Sequence, residues 1–234
     1  MAQIRPGERV LDVACGTGLV TFPAAKAVGE RGKVVGTDIS EKMINGAREE
    51  AEGLGSGQTT FERMDAEVLK FGDAEFDVAL CSLGLMYVPD PLAAIKEMHR
   101  VLKPGGRAVI ANWGAGNRCG WSDIFQIVDA RVQSDVCPMF FALGVGNSLS
   151  RACEEAGFSD VEALRLTTPL HYNSAEDAIG AAFAGGPVAL AYSRFDEKTS
   201  EEAHAEYLTS IRPYLKDGAY DIPGEFIVVR GDKS

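Results

Sequence analysis

The sequence predicts an α/β protein: a doubly wound, mostly parallel sheet with helices on both faces. Three observations carry this. Short apolar runs alternate with amphipathic stretches through the first half of the 234 residues. Those runs are apolar throughout rather than at every second position, which marks strands covered on both faces. The first run stops in a turn built from glycines, "LDVACGTG", Leu11–Gly18.

The elements follow in order. "RVLDVA" (Arg9–Ala14) is the first strand, and a helix pattern runs from about Thr17 to Val28, with Pro23 placed to kink it. "KVVGTD" (Lys33–Asp38) is the second strand; Ser40 caps a helix reaching about Glu52. "TTFERMD" (Thr59–Asp65) and "FDVALCS" (Phe76–Ser82) are the third and fourth strands. Asp90 as N-cap and Pro91 at the first helical position open a helix whose apolar stripe is Leu92, Ile95, Met98 and Leu102, and Pro104 stops it. "RAVIANW" (Arg107–Trp113) is the fifth strand. Residues 114–145 carry Gly, Trp, Phe, Met and Pro without a clean strand pattern. Ser148–Phe158 reads as a helix closed by Gly157, Val161–Tyr172 as a strand, 174–215 as helical with Ser174 as a cap, and "EFIVVRG" (Glu225–Gly231) as a last strand. There is no second core, so residues 1–234 are expected to form one domain. Its core spans about 8–113, 148–172 and 225–231, with helical lid insertions at about 114–147 and 174–215.

Composition narrows the function. No apolar run approaches the roughly 20 residues of a membrane span, so stable membrane insertion is not expected. The opening "MAQIRPGERV" is too polar for a signal peptide. Cys15, Cys81, Cys119, Cys137 and Cys153 are scattered without a C-x-x-C pair, which predicts free thiols in a reducing cytoplasm and no metal site. A net charge of −11 and the lack of a basic stripe argue against a nucleic-acid partner. A homodimer is left open.

Ligands of parallel sheets bind beyond the C-terminal strand ends. The turn after Ala14 lies there, and Gly16 and Gly18 let a ligand approach the backbone. Asp38 ends the second strand 20 residues after Gly18, where a carboxylate can accept both hydroxyls of a ribose. Asp65, followed by Ala66, ends the third and can accept from an exocyclic adenine amine. The dinucleotide fingerprint G-x-G-x-x-G fails at its third position, which is Thr21. Asp12, four residues before Gly16, suits a cationic or zwitterionic ligand better than a pyrophosphate.

As a set, "VLDVACGTG", "VVGTDIS", "RMDAE", "FDVALCSLGLMYVPD" and "MHRVLKPGG" resemble the class I S-adenosylmethionine-dependent methyltransferases, particularly the ubiquinone and menaquinone C-methyltransferase branch. The resemblance covers about residues 8–113. It implies a Rossmann-like seven-stranded sheet whose last strand is antiparallel. It implies S-adenosylmethionine as cofactor, with contacts at Asp12, Ala14, Gly16, Gly18, Asp38, Ile39, Met43, Asp65, Ala66 and Ser82. Two departures stand out. "GLMYVPD" occupies the place of "GLRNV" in the quinone enzymes. Family members also carry N-terminal helices over the cofactor, whereas the first strand here begins near residue 9, so either the chain is truncated or the cofactor is unusually exposed.

The acceptor is expected to be a small aromatic or apolar molecule. The lid offers Trp113, Trp121, Phe125, Met139, Phe140, Phe141, Tyr172, Phe183 and Tyr192 as an apolar pocket. His171 and Tyr87 are the candidate catalytic residues, while His99 is expected to be structural and His204 solvated. An NAD-type oxidoreductase and a catalytically silent cofactor-binding protein are the alternatives.

Overall fold

The computed structural model describes residues 1–132 and 140–234. Cys137 and Met139 lie outside the described residues. The chain runs β1 (Arg9–Val13), α1 (Thr21–Val28), β2 (Lys33–Asp38), α2 (Glu41–Leu54), β3 (Thr59–Arg63), β4 (Phe76–Ser82), α3 (Pro91–Val101), β5 (Leu102–Trp113) and α4 (Ile124–Asp129). It continues with α5 (Ser148–Glu155), β6 (Ser159–Tyr172), α6 (Ala175–Ile179), α7 (Ala189–Tyr192), α8 (Glu197–Ile211), β7 (Leu215–Lys216) and β8 (Ala219–Asp232).

The sheet order is β3-β2-β1-β4-β5-β8-β6, with the two-residue β7 hairpinned onto β8. The first five strands are parallel, β1 pairing with β2 and β4, β2 with β3, and β4 with β5. Hydrogen bonds fix β8 as antiparallel to β5. Gly105, near the start of β5, donates to Lys233 beyond the end of β8, while Gly114, past the end of β5, donates to Glu225 midway along β8. The seven-stranded, mostly parallel sheet with an antiparallel last strand is therefore present, extended by β7. The chain steps outward from β1 to β3 on one side and from β4 to β5 on the other. With right-handed crossovers this puts α1 and α2 on one face and α3 on the opposite one. β1, paired on both sides, buries Val10, Leu11 and Val13 completely. The edge strand β3 buries only Phe61, which meets Ile44 and Ala47 of α2.

The chain divides into two compact units: Met1–Asn112 with Gly146–Leu164 and Ile227–Ser234, and Trp113–Val145 with Arg165–Phe226. β5, β6 and β8 each run from one unit into the other.

Several boundaries differ from the sequence expectation. α1 begins at Thr21 rather than Thr17, because Gly18 is left-handed at φ 98° and a right-handed helix cannot pass through it. Pro23 consequently falls in the first helical turn, where its missing N–H costs nothing. β3 ends at Arg63; Asp65 instead bridges Val68. β5 starts directly after α3 rather than at Arg107, since pairing with Lys233 extends it through Gly105. The span 174–215 is broken into α6, a π turn at Gly180–Ala184, α7 and α8. The expected caps form at Ser40, Asp90 and Ser174, which accept from the amides of Met43, Ala93 and Asp177.

Candidate active site

The C-terminal ends of β1 to β4 open into a cavity of about 650 Å³ within the first unit. Each strand end contributes. From β1 and its turn come Asp12, Ala14 and Gly16; from β2 and α2, Asp38, Ile39 and Met43; after β3, Asp65 and Ala66; and from β4 and its turn, Ser82 and Tyr87. Gly18 is not on the cavity wall. A Cβ there would stand 2.5 Å from the Phe22 ring, so its lack of a side chain serves the packing of Phe22.

The carboxylates are in three different states. Asp38 is fixed: its Oδ2 accepts from the Gly16 amide at 2.9 Å and its Oδ1 from the Ser40 amide at 2.9 Å. Each oxygen keeps a second lone pair. Asp65 accepts from the Glu67 amide through Oδ1 alone. Asp12 is 1% exposed, and its Oδ2 accepts from the Thr21 hydroxyl at 2.6 Å. Burial raises its pKa to about 7, the Thr21 hydrogen bond opposing and the Asp38 charge adding to the rise. Burial also pushes the neighbouring Cys15 thiol up, and Cys81 to about 12, the Asp12 charge adding in both cases, so neither is a nucleophile near neutrality.

Two backbone positions make the cavity possible. Ala14 and Leu83, the first residues past β1 and β4, both take left-handed conformations, with φ of 54° and 56°. Non-glycine residues held there store of order 1 kcal/mol or more. The two turns also touch: a Cβ on Gly84 would lie 2.5 Å from that of Ala14. Sequence reasoning missed Leu83 and Gly84, along with Leu19, Met64, Val88 and Pro89 on the same wall. A glycine just past a parallel strand is the signal that found Gly16, and it was present in "CSLGLMYVPD" as well.

Of the two catalytic candidates, Tyr87 lines this cavity and is 59% exposed. His171 belongs to the second unit. Its Nδ1 lies 2.8 Å from Asp221 and its Nε2 3.3 Å from Asn173, and these hydrogen bonds raise its pKa. His99 packs edge-on against Phe158 as expected of a structural ring. His204 differs from the expectation: rather than being merely solvated, it contacts the Tyr192 hydroxyl at 2.9 Å and the Phe183 ring at 4.9 Å. Seven of the expected lid aromatics pack in ring contacts. Trp113, Trp121, Phe125, Phe140 and Phe141 form one cluster, and Phe183, Tyr192 and Tyr207 form another. Among the described residues no group of three His, Cys, Asp or Glu could hold a metal ion, and no helix is long and apolar enough to cross a membrane.

A parallel sheet in this order, an antiparallel last strand β8 between β5 and β6, and acids at or near the ends of β1, β2 and β3 are the features of the class I S-adenosylmethionine-dependent methyltransferases. The chain belongs to the family described as the methyltransferase domain, whose model matches residues 4–136. It is 43% identical over 106 residues to a demethylmenaquinone methyltransferase of Bacillus cereus, a match covering 45% of each chain. The match therefore spans under half the length of such curated relatives. Among solved structures, a putative methyltransferase from Bacillus halodurans is 25% identical, with a TM-score of 0.65 over 99% of this chain and 95% of that one. The YcgJ protein of Bacillus subtilis shares the fold, with a TM-score of 0.67, 18% identity and coverage of 99% and 94%. The family match speaks against the NAD-oxidoreductase alternative: the chain carries a methyltransferase domain. The cavity fits that cofactor. It offers a fixed carboxylate for a diol, a buried carboxyl that a cation would help to ionise, and the apolar Ile39 and Met43, 63% and 41% exposed, for a flat base to cover.

Proposed function

We propose that the chain methylates a small, apolar or aromatic acceptor, and that the cofactor is held by Asp12, Ala14, Gly16, Asp38, Ile39, Met43, Asp65, Ala66 and Ser82, with Gly18 supporting the turn. The observation that carries the reading is Asp38. Two backbone amides immobilise its carboxylate at the cavity wall, and each oxygen keeps a lone pair for a further donor. When bound, the cofactor supplies an electrophilic methyl group on a sulfonium. The residues align and shield. Asp38 accepts from the ribose hydroxyls, and the free oxygen of Asp65 accepts from the adenine amine. Ile39 and Met43 exclude water from the base. Asp12, once ionised, supplies negative charge beside the strand-end turns of Ala14 and Ser82. Transfer then needs little beyond alignment of donor and acceptor.

Tyr87 is the residue we assign to touch the acceptor, because it stands on the cavity rim. His171 holds its proton more tightly than a free imidazole, and with Nδ1 on Asp221 its Nε2 would have to leave Asn173 to take a proton. Its assignment as base therefore rests on the sequence alone. We read residues 1–234 as one functional domain, the aromatic clusters of the second unit being its internal packing. The test is calorimetric titration of S-adenosylhomocysteine into the wild type and Asp38→Ala. Micromolar binding by the wild type, lost by about a hundredfold or more in the variant, is expected from removing a bidentate charged acceptor. Equal affinity for both proteins would refute the assignment of Asp38.

A further inference from the structure

Three consecutive hydrogen bonds run from the loop after β3 to the start of α3. The Glu67 amide donates to Asp65 Oδ1 at 2.9 Å, the Asp90 amide to Glu67 Oε1 at 2.8 Å, and the Ala93 amide to Asp90 Oδ1 at 3.0 Å. The last of these is the N-cap of α3. In a capping box, a Glu or Gln at the third helical position reaches back to the N-cap amide. Here that position is Ala93, which cannot reach back, and Glu67, 23 residues before the cap, supplies the carboxylate instead. Glu67 lines the cofactor cavity together with Tyr87, Val88 and Pro89, the residues that lead into α3. We propose that Glu67 is a positioning residue: it ties the loop that receives the adenine to the rim that carries Tyr87, so that cofactor binding sets the acceptor contact. The inference rests on the methyltransferase reading and on the roles given there to Asp65 and Tyr87.

The acids of the cavity wall are Asp12, Asp38, Asp65 and Glu67. The cofactor accounts for the first three, and the side-chain bond of the fourth goes to the rim. That bond is open to solvent, where a hydrogen bond adds only modestly to stability; what it fixes is direction. The body of α3 already secures the far end of the same loop. Glu97 Oε2 accepts from the Leu69 amide at 2.9 Å, and Arg100 donates to the Leu69 and Phe71 carbonyls at 3.0 and 2.9 Å. At the cavity itself the link is Glu67. An adenine amine donating to the second oxygen of Asp65 holds that carboxylate from both sides and, through the Glu67 amide, the carboxylate that fixes Asp90. Such coupling is reciprocal, so a fixed rim also raises cofactor affinity.

The experiment incorporates 3-fluorotyrosine into the full chain and titrates it with S-adenosylhomocysteine. The fluorine resonance of Tyr87 is identified among the six tyrosines by its loss in Tyr87→Phe. In the wild type it is expected to shift as the cofactor product saturates the site. Glu67→Ala removes the link, and Glu67→Asp, one methylene shorter, keeps the charge without reaching Asp90. Both should bind S-adenosylhomocysteine about fivefold more weakly and leave the Tyr87 resonance unmoved at saturation. Glu67→Gln keeps the acceptor oxygen and should restore affinity and shift together. If Glu67→Ala does not fold, the Asp and Gln variants decide. A Glu67 that only stabilises α3 would lower the melting temperature of the Ala and Asp variants and leave the shift intact. That result overturns the proposal, as does loss of the shift in Glu67→Gln or its absence in the saturated wild type. Failure of the underlying methyltransferase reading looks different: S-adenosylhomocysteine itself does not bind the wild type.

Discussion

Asp12 is where residue chemistry and stability meet. Its carboxyl has an ordinary value of 3.8 and a folded value of about 7, so the folded state binds its proton more tightly than the unfolded chain. The stability it contributes is complete below about pH 3.8 and is lost as pH rises through 7. By pH 8 the loss is on the order of 4 kcal/mol. Asp12→Asn keeps an acceptor for the Thr21 hydroxyl and removes the ionisation. In urea unfolding the variant should match the wild type near pH 4 and exceed it by a few kcal/mol at pH 8; a constant difference across that range would show that Asp12 ionises freely. The position of Asp12 beside the glycine turn was legible in the sequence. Its complete burial was not, because that depends on Thr21 and on a helix start that the glycine conformation displaced.

At the scale of elements, the site depends on two turns that touch. Gly84→Ala would force its new methyl group against that of Ala14, and both Ala14 and the preceding Leu83 are already left-handed. We expect a loss of about 1–3 kcal/mol in stability and weaker S-adenosylhomocysteine binding than in the wild type. Retention of both properties would mean that the β1 and β4 turns do not need this contact. Most of these elements could be read directly. β2 and β4 fall at the expected residues because continuous apolar runs bounded by Asp or Ser leave few alternatives. The harder elements were those whose extent depends on long-range pairing. β5 and β8 lengthen because each supplies the other's partners from about 120 residues away, which no local pattern reveals.

At the scale of the whole molecule, the net charge of −11 acts on a cofactor that carries one more positive charge than its product. Raising the ionic strength should therefore weaken S-adenosylmethionine binding more than S-adenosylhomocysteine binding; identical salt slopes would confine the electrostatics to the cavity. The boundary between the units at 164/165 was not legible, since it falls inside β6, where the sequence shows an uninterrupted strand.

The buried carboxyl has one more consequence, and it can be read as heat. Near pH 7 Asp12 is close to half protonated, and a cation arriving beside it favours the ionised form. The proton it sheds is taken up by the buffer. The apparent enthalpy of S-adenosylmethionine binding should then differ between Tris and phosphate, whose ionisation heats are unlike. The difference should shrink for the product, which lacks the sulfonium, and vanish in Asp12→Asn. Each catalytic cycle would thus be accompanied by a proton leaving the protein when the donor binds and returning after the methyl group has gone.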